Sequence, residues 1–197
     1  MRKKIYKTNL LQKNMKKTLL TAAVLLVSGL VAFAQDGKQS ADVQLSVILN
    51  PIQTIEVGAA TQRTVDLVYD SKEDYANGVE VSLDDHLTVY STGGFEVKAQ
   101  SATDNIQRAN GSETISASTI NVLASPGATN ALTGTNYNNV SLSTTPTNLI
   151  SSSVGGVNKN FNVKYSGIGA DGYLNSYYND ENPTVYTTTV TYSIVAQ

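Results

Sequence analysis

The chain of 197 residues contains no cysteine and no tryptophan, and it has a single histidine. Without cysteine the fold has no disulfide, no thiolate metal site and no cysteine for lipid attachment after a leader. With one histidine and no cysteine, the chain has no second histidine or cysteine from which to build a nucleophile or a zinc site. We therefore expect a protein that is not an enzyme and that is held together by core packing and sheet hydrogen bonds.

Segments of helical periodicity and useful length are also lacking after the first 34 residues. Instead, short segments rich in Val, Ile, Thr and Tyr alternate apolar with polar residues and are separated by Gly and Asn turns. Such alternation is typical of half-buried β-strands. The predicted fold class is all-β, an immunoglobulin-like β-sandwich with Greek-key connections. The predicted strands are 41–49, 52–57, 63–69, 79–83, 86–91, 95–100, 119–124, 140–142, 148–151, 160–166 and 185–197.

The first 34 residues have the pattern of a signal peptide. Lys16-Lys17 precede an apolar run over residues 18–31, which is short for a membrane span, and Ala32-Phe33-Ala34 matches a small-x-small cleavage site. Met15 is the better start, since the alternative is an unusually long basic region before the apolar run. We expect residues 1–34 to be removed, 35–42 to be a polar leader and 43–197 to form one β-sandwich domain. An uncleaved N-terminal anchor is the alternative.

Cleavage would change the charge of the protein. The whole chain has 14 basic and 16 acidic residues, and seven of the basic residues lie within residues 1–34. Their loss leaves 7 basic and 16 acidic residues and a net charge of −9. An acidic surface of this kind argues against nucleic acid and anionic lipid as partners.

Candidate ligand residues are few. His86 stands beside Asp84 and Asp85 before a predicted strand, and for a lone histidine in this setting we expect a solvated surface residue. Acidic side chains cluster in two predicted loops, where Ca²⁺ could find oxygen ligands, but their spacing matches no Ca²⁺ loop pattern. We expect solvated acidic loops and no cofactor. These clusters are Asp70, Glu73 and Asp74, and Asp171, Asp180 and Glu181.

Three tyrosines share the second acidic loop and could form a platform for a sugar ring. They are Tyr173, Tyr177 and Tyr178. Without tryptophan the same rings could equally cap the edge of the sandwich, and both interpretations stay open at this point.

The two ends of the expected mature chain carry matching alternation. Tyr186-Thr-Thr-Thr-Val-Thr-Tyr-Ser-Ile194 resembles the C-terminal strand of chaperone–usher pilins, in particular the archaic, spore-coat-U-like branch. The exported leader, the alternating segment 43–49 and Pro51-Ile52 fit the same pattern. The chain is also similar to small exported β-sandwich proteins of uncharacterised families in Bacteroidetes-type bacteria. It lacks the disulfide that many pilins carry near the first strand.

The resemblance implies a structural subunit of a surface fibre or adhesive coat, exported to the periplasm or cell surface of a Gram-negative bacterium. Each such subunit is an incomplete sandwich with a groove beside its last strand. A periplasmic chaperone, and later the N-terminal segment of the next subunit, fills that groove by β-augmentation. The donor residues here would be Val43, Leu45, Val47 and Leu49, and the acceptor face would include Val190, Tyr192 and Ile194.

One alternative stays open. A strand that completes its own sheet has the same alternation as a strand that completes a neighbour's sheet. The second hypothesis is therefore a self-complete exported β-sandwich that binds a glycan or another ligand through its loops.

Overall fold

The computed structural model of the protein describes residues 40–197. The chain divides into two units between Ile48 and Leu49, and all the strands described here belong to the second unit. Residues 40–48 are exposed and have no regular secondary structure. The predicted signal peptide, its cleavage after Ala34, the start at Met15 and residues 35–39 of the leader lie outside the described residues.

The second unit contains eleven strands, one short α-helix and two 3-10 turns, at Ala60–Gln62 and Ala117–Thr119. In chain order these strands and the helix are β1 (Gln53–Val57), α1 (Lys72–Asn77), β2 (Val79–Ser91), β3 (Phe95–Ser101), β4 (Asn105–Gln107), β5 (Thr114–Ser116), β6 (Ile120–Pro126), β7 (Thr135–Tyr137), β8 (Asn139–Ser141), β9 (Thr147–Ser152), β10 (Gly156–Gly167) and β11 (Val190–Ala196).

Two antiparallel sheets make up the sandwich-like body. One has the strand order β1-β2-β10-β6-β8 and the other has the order β11-β3-β9-β7, while β4 and β5 form a separate hairpin. Every strand pairing is antiparallel. The all-β prediction is confirmed.

The core lies between the two sheets because alternate side chains of each strand point inward. Phe95 of β3 and Phe161 of β10 are fully buried, and their rings meet edge to face with centroids 6.3 Å apart. Aliphatic side chains from both sheets complete this cluster, among them Leu87, Val97, Val122, Leu149, Ile150 and Val163.

Two predicted strands are wrong. Residues 41–49 have no regular secondary structure. Residues 63–69 also belong to no strand, although Val65 and Leu67 are half-buried against the core and Asp66 between them is exposed. Alternation in the sequence therefore predicted which face of this segment is covered. It could not show whether a neighbouring strand supplies hydrogen bonds.

One short helix, α1, has too few residues to be expected from helical periodicity in the sequence. Ser71 begins α1, its hydroxyl accepts from the backbone N–H of Asp74, and the Asp74 carboxylate accepts from the backbone N–H of Ser71. This reciprocal capping stabilises a helix start that the apolar pattern does not reveal. Hydrogen bonds from the hydroxyl and the backbone of Ser71 lower the pKa of Asp74.

The segments predicted as two strands, 79–83 and 86–91, form the single strand β2 with an irregularity at Asp85. Asp85 has a φ of 49°, and the register with β10 shifts between Phe161 and Val163. The backbone N–H of Asp85 donates to Asn162 Oδ1 at 2.7 Å, which fixes the irregular turn of the backbone. The consequence is that both His86 and Leu87 point into the protein.

Candidate functional site

The last strand, β11, lies at the edge of its sheet. It pairs with β3 from Val190↔Ser101 to Ala196↔Phe95, and no second strand pairs with it among residues 40–197. Its side chains alternate as predicted: Val190, Tyr192 and Ile194 are half-buried against the core, and the residues between them are exposed. The three predicted acceptor residues therefore share one inward face.

The side of the sandwich that contains β11 is bounded by two outer strands. β1 is the outer strand of the other sheet, its described partner is β2 alone, and it runs close to β11. Ile55 and Val57 of β1 are half-buried against the core, as is the inward face of β11. Two sheet edges and a partly covered apolar interior thus meet on this side.

The opposite side of the sandwich is different. There β7 and β8 are the outer strands, and they follow each other in the chain with only Asn138 between them. The Asn138 backbone N–H donates to Leu149 O at 3.0 Å. The chain itself crosses from one sheet to the other here, so this side is covered by its own backbone.

A buried chain of polar groups ties β11 to the facing sheet. The Tyr192 hydroxyl lies 2.6 Å from the Tyr165 hydroxyl of β10, which lies 3.0 Å from Nε2 of His86 on β2. Burial lowers the pKa of His86 and raises the pKa of both tyrosines. Only 2% of His86 is exposed, so the expectation of a solvated surface histidine was wrong.

Sequence reasoning missed this chain of three residues. Tyr165 and Tyr192 each stand in a correctly predicted alternating strand, which indicates that their rings face inward. The sequence does indicate that each tyrosine hydroxyl needs a hydrogen-bond partner, because a buried tyrosine usually has one. The identity of that partner depends on how the strands are arranged.

The predicted donor residues are among the most exposed apolar side chains of the described residues. Val43, Leu45, Val47 and Leu49 have 89%, 86%, 78% and 86% of their surface exposed. None of them belongs to a strand, and none takes part in the strand pairings described above. The alternating segment is therefore exposed and belongs to no strand among the described residues.

The second acidic loop is organised around Arg108, a residue that the sequence analysis did not single out. Its Nε lies 2.8 Å from a Glu113 carboxylate oxygen, and its Nη1 lies 3.3 Å from Asp180 and 3.9 Å from Glu181. The guanidinium also stacks 4.0 Å from the centroid of the Tyr178 ring. Burial opposes the charge of Arg108, but these carboxylates outweigh it and raise the pKa of the guanidinium. Asp180, Glu181 and Tyr178 thus hold an internal cation.

The other predicted loop residues lie elsewhere. Tyr173 meets Tyr69 edge to face at 5.1 Å, and its hydroxyl is 2.5 Å from Thr119 Oγ1. Tyr177 is half exposed, and Asp171 is exposed with a φ of 57°. The six loop candidates are therefore divided between two clusters and the solvent and do not share one surface.

Residues 40–197 also lack the groups that a metal site or a membrane-spanning helix would need. No group of three or more His, Asp or Glu side chains is arranged there to hold a metal ion. Within the same residues, no helix has the length and apolar character needed to cross a bilayer. Searches of protein-family models and of curated proteins found no match to the chain.

Proposed function

We propose that the protein is a structural subunit of a surface fibre or adhesive coat that assembles by strand donation. The segment Val43–Leu49 of one copy would pair with the free edge of β11 in another copy and place alternate apolar side chains between the two sheets. The observation that carries the proposal is that one chain contains both an exposed apolar segment with period-two alternation and an edge strand whose inward face alternates in the same way.

Physical chemistry favours filling this edge. An unpaired strand edge offers a row of backbone donors and acceptors, and it is a template for pairing with another chain. Residues 43–49 carry no charge, so pairing them with β11 requires no buried ion. Burying four such apolar side chains contributes about 1.5 to 3 kcal/mol each, before the entropy cost of ordering and association is subtracted.

The proposal includes the finer features that the sequence predicts. The two sheets would correspond to an immunoglobulin-like sandwich with Greek-key connections, exported after removal of residues 1–34. A periplasmic chaperone could protect β11 before assembly by the same mode of pairing. The partners would be copies of this chain or related subunits, at the periplasm or the cell surface.

Ligand binding through the loops is the second candidate, and it gains less support. Tyr173 and Tyr178 are engaged with other side chains of the protein, and Asp180 and Glu181 surround Arg108. Tyr177 and Asp171 are the exposed members of the set. A sugar ligand would have to use these two residues without the others.

The donor half of the proposal is tested by charges placed on either face of the alternating segment. We expect a chain beginning at Gln35 to form oligomers as its concentration rises, measured by size exclusion with light scattering. Leu45→Asp with Val47→Asp should keep the protein monomeric, because the apolar face can no longer enter the groove. Gln44→Asp with Ser46→Asp adds the same charge to the other face and should assemble like the unmodified chain. Equal assembly by the two variants would refute donation by this face.

The acceptor half is tested by disulfide formation, since the chain has no cysteine of its own. A chain carrying Ser46→Cys is mixed with a chain carrying Thr191→Cys or Ser193→Cys, both exposed on β11. Oxidation should yield a covalent heterodimer with at least one of them. Asn136→Cys, exposed on the outer strand β7, is the matched control and should cross-link poorly. Cross-linking to β7 as efficient as to β11 would contradict the assignment.

A further inference from the structure

His86 is the only histidine of the chain, and it is buried between the two sheets. Its Nε2 contacts the Tyr165 hydroxyl, whereas its Nδ1 is buried with no hydrogen-bond partner within residues 40–197. This arrangement suits a neutral imidazole, in which only one ring nitrogen has a hydrogen-bond partner. A protonated ring would have two N–H donors and a positive charge, and its second donor would lack a partner.

The burial of His86 depends on β11, because Tyr192 of that strand contacts both the Tyr165 hydroxyl and the His86 ring. The Tyr192 ring lies edge to face with the His86 ring at 6.1 Å, and its hydroxyl closes the chain of polar groups. Among residues 40–197, β11 has one strand partner and a half-covered inner face, so it is less firmly held than the central strands. Displacement of β11 is therefore an opening that would bring water to His86.

We propose that proton uptake by His86 releases β11 from the opposing sheet, so that acidification opens the side of the sandwich bounded by β1 and β11. The proton is accepted when β11 moves away, because the ring can then be hydrated. The closed arrangement excludes the charged ring. Acid thus shifts the equilibrium toward the open arrangement without breaking any covalent bond.

The groups that surround His86 do not offset this charge. Tyr165 from β10 and Tyr192 from β11 face the ring, and burial raises the pKa of each, so both are neutral in the relevant range. On its own strand, the Asp85 carboxylate accepts from Thr129, and no ion pair joins Asp84 or Asp85 to the ring within residues 40–197. The segment after β1 contributes Gly58 N–H to His86 O and the Gln62 amide to Asp84 O, neither of which titrates.

Hydrogen exchange at single-residue resolution tests the proposal in the chain beginning at Gln35, kept monomeric at low concentration. Exchange is measured at pH 7.5 and 5.5 and corrected for the intrinsic rate at each pH. If His86 titrates near pH 6.5 in the open arrangement, the protection of the β11 amides should fall by up to about tenfold between pH 7.5 and pH 5.5. The amides of β6, which is paired on both sides in the other sheet, should change much less.

Two variants without a titrating ring provide the controls. His86→Phe keeps the size of the ring, and His86→Gln keeps a polar group beside Tyr165 in case the first variant does not fold. In either folded variant the additional loss of protection in β11 should disappear. Equal loss in β6 and β11 of the unmodified chain, or an unchanged response of β11 in a folded variant, would overturn the proposal.

The inference concerns the single chain and does not depend on strand donation. If donation also holds, a docked segment should leave faster at pH 5.5 than at pH 7.5, since it is bound against β11. Failure to oligomerise at pH 7.5 would count against donation alone. A pH-independent β11 would count against the acid response alone.

Discussion

Arg108 and His86 are the two ionisable side chains whose surroundings depart most from what their sequence neighbours suggest. Arg108 follows a three-residue strand, yet only 8% of it is exposed because Tyr178 covers the guanidinium and three carboxylates approach it. His86 is flanked by two aspartates and is nevertheless buried. The tyrosines beside both side chains, and Asp180 and Glu181 beside Arg108, lie 70 or more positions away in the sequence.

His86 leads to a prediction about stability and pH. In the unfolded chain it binds a proton as the pH falls through about 6.5, whereas burial lowers its pKa in the folded protein. The unfolded state then binds more protons, so folding stability decreases as the pH falls below about 6.5, by up to about 1.4 kcal/mol for each pH unit. Urea unfolding at pH 7.5, 6.5 and 5.5 measures this slope.

The matched variant for this slope is His86→Phe, which should be nearly flat over the same range. The carboxylates whose pKa values are lowered, such as Glu80 and Asp85, lose their stabilising contacts only at more acidic pH. They therefore do not mask the effect of the histidine. A slope that survives the substitution would show that another group is responsible.

At the scale of elements, the turns between strands depend on a few glycines. Gly78 ends α1 with φ 83° and ψ 173°, a region that is essentially restricted to glycine, and delivers the chain into β2. A Cβ at this position would lie 2.5 Å from Gly167 O, so the neighbouring end of β10 leaves no room. Glycine is therefore required at this position for both a conformational and a steric reason.

A series of three glycine-to-alanine variants separates these effects. Gly78→Ala combines backbone strain with a collision and should cost more than about 2 kcal/mol of unfolding free energy. Gly134→Ala, with φ 74° and nothing within 4 Å of the added Cβ, should cost about 1 kcal/mol from strain alone. Gly93→Ala has neither problem and should be close to neutral. Urea unfolding gives the order, and equal costs for Gly78 and Gly134 would contradict the steric argument.

At the scale of the whole molecule, the two sides of the sandwich differ in how they are covered. The chain crosses between the sheets at β7 and β8, and it leaves the edges of β1 and β11 without a further strand among the described residues. The apolar segment 43–49, which has the composition of a strand, is exposed in the single chain. A free edge and an unpaired strand-like segment in one chain are the two halves that strand donation requires.

Truncation tests whether the segment contributes to its own body. A chain that begins at Leu49 should keep the thermal unfolding midpoint of the chain that begins at Gln35, both measured at low concentration, because residues 40–48 are exposed and have no regular secondary structure. A chain that begins at Gly58 also loses β1 and its half-buried Ile55 and Val57, so it should lose about 2 kcal/mol or more. A clear loss on the first truncation would mean that the segment packs on its own chain.

Most of the fold could be predicted from alternation. The predicted segments at 95–100, 119–124 and 160–166 match β3, β6 and β10 closely, because Val, Ile, Phe and Tyr at every second position must share one covered face. The same rule failed for residues 63–69, where Val65 and Leu67 are covered without any strand pairing. It also divided β2 at Asp85, since an irregularity within a strand resembles a turn in the sequence.

The candidate site was predicted only in part. The inward positions of Val190, Tyr192 and Ile194 follow from local pattern, whereas the contacts of Tyr192 with Tyr165 and of Tyr165 with His86 join three strands that are distant in sequence. Likewise, the sequence predicts that Asp180 and Glu181 lie in a solvated acidic loop, whereas in the structure they lie beside Arg108. A contact between residues that are distant in the sequence cannot be predicted from the spacing of residues along the chain.

By itself the sequence determined that this is an all-β chain without cysteine chemistry and that Val190, Tyr192 and Ile194 of β11 face inward, because side chains of a strand alternate with period two. The tertiary structure alone decided that β11 has one strand partner among residues 40–197, that segment 43–49 is exposed and outside any strand, and that His86 is buried behind Tyr165 and Tyr192. The physical reason is that alternation specifies the covered face of a strand, while its hydrogen-bonding edges are identical backbone in every sequence.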